Sequence, residues 1–443
     1  MAQNFLSCDR DQVMLLPPSV MEWLPEGHLA RFVIGVVEQL DLDAIYGYYR
    51  ADGHGRPAHD PAMMTGLVLY NYAVGVRSSR AIERRCVEDV ACRVIAANRS
   101  PDHATLARFR SRHQKALSEL FFQVLALCRD AGMVRVGTVA VDSTKLAANA
   151  SLGANRTHEQ LRAEAQRIFE EAAEIDARED ELYGEARGDE LPEELADPGT
   201  RTAKIRELLE RARARQEKIE AERAEVHARH AEHVERTGRP MRARPPRPEP
   251  AEHQRRELER TKYNLTDPDS GVVRHRGMLM QGYNVQAAVA EGQVIIAAKV
   301  GGQVDGGELI PTLEQAAANL ARAGIDEPIA EVLADAGYWN TQQIQALKRK
   351  HARVLVPPRT RQASSPDRLN REAQQMNALL QTPEGKSAYR RRQQIVEPVF
   401  GHWKHIRGIT RVLRRGKHAV QAEIDLIATT HNLLKLYRHP TAA

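Results

Sequence analysis

The sequence predicts an α/β protein: a mixed five-stranded sheet with flanking helices, preceded by an all-helical N-terminal domain and interrupted by a helical insertion. Three observations lead there. Val134 to Leu146, VRVGTVAVDSTKL, is a β-branched run that reads as a buried strand. Strand signals then vanish into a stretch dense in Glu, Arg, Ala and Gln, and resume at Gly282. Before Val134, apolar residues recur at helical spacing, as in Leu29, Phe32, Val33, Val36, Val37 and Leu40.

Residues 1–131 are expected to be helical, with helices over His28–Leu40, Met63–Val74, Ser79–Cys86, Val87–Ala97 and a long one over Thr105–Arg129. Two basic clusters decorate them: Arg77, Arg80, Arg84 and Arg85, then Arg108, Arg110 and Arg112. Such clusters suit either DNA phosphates or a solvated helix face. Residues 132–154 hold the first strand, expected to end on Asp142. Residues 155–262 form the charged insertion, with helical runs near 157–177 and 201–236. Ile205, Ala212, Ile219 and Val226 repeat every seven residues there, but Arg215, Glu222 and Arg229 spoil a coiled-coil seam. It reads as a solvated spacer.

From 263 to 443 the rest of the sheet follows. GYNVQAAVA (282–290) and QVIIAAKV (293–300) form a hairpin; Glu308–Ala323 is a helix; EPIAEVLADAGYW (327–339) is a strand ending on Asp335. Asn340–Lys350 is helical and RVLVPPR (353–359) is the fifth strand, stopped by its prolines. Residues 360–388 read as polar loop with room for a short helix, and Ala388–Lys404 and Ile424–Leu436 as helices.

The chain has 443 residues, a net charge of +5 and a pI of about 9.0, which is compatible with a polyanionic partner without establishing one. Cys8, Cys86, Cys92 and Cys128 make no CxxC pair or zinc spacing and read as reduced thiols of a cytosolic protein. No signal peptide is recognised, and no apolar run reaches the roughly 20 residues a membrane helix needs. A soluble, cytoplasmic protein is expected.

An Asp at the end of a strand can simply cap a turn. Asp142 gains meaning from company. Asp335 ends the fourth strand and Glu397 lies on the helix after the fifth; if the first and fourth strands are parallel neighbours, the three carboxylates meet at one sheet edge. That arrangement is a ribonuclease-H-like fold. Carboxylates suit Mg²⁺, a hard cation that takes oxygen ligands, and two such ions can stabilise the attacking and leaving oxygens of phosphodiester cleavage.

Three stretches, VAVDSTKLAANAS (139–151), GYNVQAAVAEGQVIIAAKV with EVLADAGYWN (282–340), and YRRRQQIVEPVFGHWK (389–404), resemble the DDE transposases of bacterial insertion sequences. The resemblance is to the group whose third carboxylate sits in a Tyr-Arg-Glu-Lys signature, and the ATLARFR run (104–110) resembles its leader domain. It implies that Asp142, Asp335 and Glu397 are catalytic and bind Mg²⁺, with Mn²⁺ as a substitute. Lys404 follows Glu397 at the spacing of the signature, whereas Tyr389 and Arg392 each lie one residue too far, so Arg391 and Gln393 compete for the Arg role. Lys404, Arg392, Tyr389, Lys145, Arg407 and Arg411 are the expected DNA contacts, with Arg414, Arg415 and Lys417 extending the track. Thr144 and Lys145 otherwise cap the segment after Asp142, Tyr338 and Trp339 either stack on a base or pack the core, and Glu331 and Glu384 are rival third carboxylates. The implied activity is cutting of transposon ends and joining of their 3′-hydroxyls to target DNA. The implied partners are terminal inverted repeats, target DNA and a second copy of the chain, with the protein on the nucleoid when bound to DNA. A nuclease without strand transfer and a non-catalytic DNA-binding derivative are the alternatives.

Overall fold

The apolar spacing of the first third of the chain produces seven helices among the described residues: α1 (Leu29–Val37), α2 (Asp43–Tyr46), α3 (Pro61–Ala73), α4 (Ser79–Glu88), α5 (Val90–Ile95), α6 (His103–Arg112) and α7 (Gln114–Asp130). The computed structural model describes residues 19–49, 58–157, 262–275, 277–350, 353–358 and 371–439, with scattered helical residues between 159 and 236. Polar caps set the helix starts. Asp60 accepts from Ala62 N–H with Pro61 in the first turn of α3, Asp89 accepts from Cys92 N–H, and Asp102 accepts from Thr105 N–H. The expected helix over Thr105–Arg129 is in fact two. His113 leaves helical geometry (φ −99°, ψ 23°) and buries its ring among Tyr48, Tyr49 and Phe109.

The remaining elements are β1 (Arg135–Ala147), β2 (Asn155–Thr157), β3 (Lys262–Asn264), β4 (Gly271–His275), β5 (Met278–Glu291), β6 (Val294–Val300), α8 (Leu309–Arg322), β7 (Glu331–Ala334), α9 (Thr341–Arg349), β8 (Arg353–Leu355), α10 (Arg371–Gln381), α11 (Pro383–Ile395), α12 (Glu397–Gly401) and α13 (Lys417–Tyr437). The chain forms two compact units, residues 1–147 with 283–443, and residues 148–282.

In the first unit the strands lie in the order β6-β5-β1-β7-β8. β5 and β6 pair antiparallel, while β1 with β7 and β7 with β8 pair parallel, so the sheet is mixed and the class is α/β. The first and fourth strands of the sequence reading, β1 and β7, are parallel neighbours as anticipated. The N-terminal helices belong to this same unit, and α13 packs against α7, α3 and β6.

Edge strand β6 shows what the polar residues of the last helix are for. An edge exposes unpaired backbone groups. Here the Asn432 side chain takes both a donor and an acceptor from Ile295, accepting from its N–H (2.9 Å) and donating to its C=O (2.8 Å). Gln421 does the same for Val300 N–H and Ala298 C=O, and Asn319 donates to Ile296 C=O.

Several boundaries differ from expectation. β1 does not end on Asp142; it continues to Ala147, whose N–H and C=O are held by Thr410 C=O and Val412 N–H. β7 is only four residues long and stops just before Asp335. The polar region expected as loop with room for a short helix holds the whole of α10 and also the start of α11, which Thr382 caps by accepting from Gly385 N–H beside Pro383. The helix expected over Ala388–Lys404 is broken at Val396 and passes into a wider, π-type turn over His402–Ile406.

In the second unit β2 pairs antiparallel with β3, and β4 pairs antiparallel with Met278–Gly282, the opening residues of β5. Most of the expected insertion, including most of the run at 157–177 and part of that at 201–236, lies outside the described residues; those described between 207 and 236 are helical.

Candidate active site

The site starts from strand register. The parallel ladder of β1 and β7 pairs Val139 with Val332, Ala140 with Leu333 and Val141 with Ala334, and then β7 stops. The next residue on each strand is an aspartate, so Asp142 and Asp335 emerge side by side at the same sheet edge. Asp335 caps the short turn that follows β7 and accepts from Gly337 N–H at 2.8 Å. Burial raises the carboxyl pKa of Asp142; Arg392 and the Ser143 N–H oppose that rise, and the like charge of Asp335 adds to it.

Glu397 comes from the other side. Val396 (φ −101°, ψ −35°) interrupts the helix between α11 and α12, and Pro398 has no N–H with which to continue it. In a regular helix residues five apart sit roughly 140° apart around the axis. The break turns Glu397 back, so Arg392 reaches both carboxylates: Nη1 donates to Asp142 Oδ2 at 2.8 Å and Nη2 to Glu397 Oε1 at 3.3 Å. Tyr389 stands one turn earlier. Burial raises its pKa, the Arg392 charge opposes that, and the charges of Asp335 and Asp142 push it further up.

A fourth carboxylate belongs here, and sequence reasoning missed it. Asp305 sits in the Gly-rich loop after β6, and its Oδ1 accepts from Asn284 Nδ2 (2.8 Å) and Gln286 Nε2 (3.0 Å) on β5. Lys145 Nζ on β1 lies 3.6 Å from that oxygen. Burial pushes the Asp305 carboxyl up, but these donors outweigh it and hold its pKa below the usual range. A Cβ built on Gly337 would lie 2.9 Å from Asp335 Oδ1 and 3.2 Å from Asp305 Oδ2, so the two carboxylates flank that glycine. The only sequence signal was an Asp among glycines, GGQVDGG, just past an edge strand.

The structure separates competing assignments. Arg391 points away from the site, to Thr138 Oγ1 (2.7 Å), Glu291 and Glu331, so of the adjacent arginines Arg392 is the one at the aspartates. Glu331 is buried at the far end of β7 with Arg353 and Arg391, and Glu384 is exposed in the first turn of α11. Tyr338 is fully buried and donates to Gln286 Oε1, Trp339 is buried, and Thr144 is buried. Lys145 donates to Asn284 Oδ1 (2.8 Å) and Ser143 Oγ (3.2 Å).

Among the expected phosphate contacts, Lys404 is half-buried in the turn after α12 and Arg411 is exposed. Arg407 is not available to DNA: it is 4 % exposed, donates to Tyr72 C=O, Ile427 C=O and Thr430 Oγ1, and burial pushes its pKa down to about 9. Arg77 is likewise buried on Glu423, and Arg110 donates to Tyr72, Ser79 and the Arg77 C=O, so these two clusters are partly architectural. Arg80, Arg84, Arg108 and Arg112 are exposed.

The donor chemistry of Asp142 and Asp335 fits a hard divalent cation: two carboxylates side by side, one of them desolvated and further disfavoured as an anion by the other. Glu397 is turned to Arg392 rather than to that pair, and among the described residues no three acidic, His or Cys side chains form a ready metal group. No helix among the described residues is long and apolar enough to cross a membrane.

Comparison with known families gives two matches. Residues 18–112 match a family described as Transposase domain (DUF772), and residues 349–437 match one described as Transposase DDE domain. The second segment contains Tyr389, Arg392, Glu397 and Lys404, while Asp142 and Asp335 lie between the two. No curated protein and no solved structure matches the chain. The two matches, one at each end of the chain, support an insertion-sequence DDE transposase.

Proposed function

We propose that the protein cuts the ends of a DNA element and joins the freed 3′-hydroxyls to target DNA, with Asp142, Asp335 and Glu397 as its catalytic carboxylates on a ribonuclease-H-like sheet. The observation that carries this is the shared end of the β1–β7 ladder, which sets Asp142 beside Asp335 with Glu397 tied to the same group through Arg392. The three carboxylates would hold Mg²⁺, or Mn²⁺ in its place, and the bound metal would stabilise the attacking and leaving oxygens of phosphoryl transfer. For Glu397 to join the pair, Arg392 must release it, which frees a guanidinium to meet a DNA phosphate. Arg392 and Tyr389 then take the Arg and Tyr roles of the Tyr-Arg-Glu-Lys signature, the break at Val396 absorbing the extra residue. Lys404 and Arg411 are the further proposed phosphate contacts, residues 1–131 the end-binding region, and a homodimer the active assembly.

The test uses DNA carrying the inverted repeats that flank the coding region. The full-length protein with Mg²⁺ or Mn²⁺ is expected to cleave it and join the product to a plasmid, and Asp142→Asn, Asp335→Asn and Glu397→Gln to bind the ends without cutting. Cleavage that persists in Asp142→Asn defeats the assignment; cleavage without joining reduces it to a nuclease.

A further inference from the structure

We infer that Asp305 is a positioning residue of the candidate site, one that acts through Lys145 and Tyr338 to hold Asp142 and Asp335 in register. The inference rests on the functional reading above but concerns residues to which that reading gives no role.

Asp142 and Asp335 owe their adjacency to two strands that part where they begin. β7 ends at Ala334, so no backbone hydrogen bond ties residue 335 to residue 142. Something else must hold the two chains beyond the last rung, and side chains gathered on Asp305 do so. From β1, Lys145 reaches the Asp305 carboxylate. From β5, Asn284 and Gln286 donate to its Oδ1. Gln286 also accepts from the buried Tyr338 hydroxyl, which belongs to the turn that carries Asp335. The Gln286 amide can do both only in one orientation, nitrogen to Asp305 and oxygen to Tyr338, so the connection has a defined direction.

The path Lys145–Asp305–Gln286–Tyr338 therefore spans β1, the loop after β6, β5 and the turn after β7. Asn284 strengthens the same junction, donating to Asp305 and to Gly302 C=O while accepting from Lys145. Gly337 fits between the Asp335 and Asp305 carboxylates because it carries no side chain. This also reassigns Lys145. Its ammonium is engaged by Asn284, Ser143 and Asp305, and its part is to brace β1 rather than to meet DNA.

Bracing and simple electrostatics predict opposite signs for one variant. If Asp305 and Lys145 act only through their charges, Lys145→Met removes a cation near the carboxylates and tightens metal binding, while Asp305→Asn weakens it. If they brace the pair, both variants loosen it, and the double variant is no worse than Asp305→Asn alone. The probe is Mn²⁺ alone, titrated into full-length protein and followed by electron paramagnetic resonance. Asp305→Asn is expected to weaken Mn²⁺ binding about tenfold and Lys145→Met about fivefold, with melting temperatures within a few degrees of wild type. Tighter binding in Lys145→Met, or effects that multiply in the double variant, overturns the inference. A second measurement needs no metal: amine-reactive labelling of Lys145, read by mass spectrometry, is expected to rise at least fivefold in Asp305→Asn. Unchanged labelling shows that Asp305 does not hold Lys145, and the inference falls. Wild-type protein that binds no Mn²⁺ counts against the functional reading instead, and labelling then decides the Asp305–Lys145 link by itself.

Discussion

Arg391 and Arg392 are neighbours on α11, yet each serves a different charged cluster. Arg391 joins Glu291, Glu331 and Thr138 at one end of the β1–β7 ladder, where Arg353 completes the set. Arg392 joins Asp142 and Glu397 at the other end, beside Asp335. Both clusters draw on the same strands and the same helix. The difference lies in charge balance. Two arginines face two glutamates around Arg391, with a hydroxyl taking a further hydrogen bond. Around Arg392 and Lys145 two cations face four carboxylates, Asp142 is desolvated beside Asp335, and the Glu397 side chain is half exposed. The first cluster is balanced in charge and the second carries an excess of acid, and this inequality, rather than the count of acids, is what the proposed cation site rests on.

The largest expected effect comes from removing a carboxylate of the open cluster. Asp142→Asn or Asp335→Asn is expected to lower end cleavage by about a thousandfold or more, equivalent to roughly 4 kcal/mol of barrier. Urea unfolding at neutral pH should show no loss of stability, and a gain for Asp142→Asn, because a buried like-charge contact is relieved. If either variant unfolds more easily, the open cluster is a strut as well.

Exchanging the roles of the arginines is the next test. Arg392→Ala is expected to cost about a hundredfold in cleavage, with little change in midpoint. Arg391→Met is expected to cost about 1–2 kcal/mol of stability and to leave cleavage within a few-fold. Gly337→Ala sharpens the boundary further: its methyl would press on Asp335 Oδ1 and Asp305 Oδ2, so cleavage should fall by about tenfold to a hundredfold at nearly unchanged stability. The reverse pattern, stability lost and activity kept, would show that the turn after β7 is architecture alone.

How far the sequence reaches is visible in these same residues. The strands β1 and β7 were legible because alternation and β-branching mark strands, and an acid just past the last apolar residue stands out. Glu397 was singled out through its motif. Asp142 was nevertheless placed at the end of a strand that runs on to Ala147, because the pairing of Ala147 with Thr410 and Val412 is a contact between segments far apart in the chain. The choice between Arg391 and Arg392 was open for a related reason: which way a helical residue faces depends on the break at Val396, a local fact of φ and ψ. Arg407 looked like part of a phosphate track because its neighbours are basic, and only packing against Tyr72 and Thr430 shows that it is interior. Asp305 carried almost no signal, since what marks it is three partners on two strands.

The smallest expected effect is in the pH dependence of stability. Asp142 has a folded-state pKa above that of the unfolded chain, because burial and Asp335 disfavour its charged form more than Arg392 favours it. Such a group contributes stability that is fully present below the ordinary carboxylate range and is lost as pH rises through its raised value. Asp425 on α13 shifts the same way, pushed up to about 6 by burial against its hydrogen bonds from Gln421 and Ser118, and it masks the contribution of Asp142. Their share of the stability should be lost between about pH 4 and 6, while His402 and His431, whose pKa values burial pushes down to about 4 and about 3, act in the opposite direction over the same range. The stability of Asp425→Asn relative to wild type should therefore grow by about 2 kcal/mol across that window, and Asp142→Asn in the same background should add a smaller rise of the same sign. Adding Mn²⁺ to Asp425→Asn should give such a rise without a second substitution, since a cation on Asp142 favours its charged form. A double variant with the same pH profile as Asp425→Asn places no strained carboxylate in the cluster and removes the energetic distinction between the two ends of the ladder.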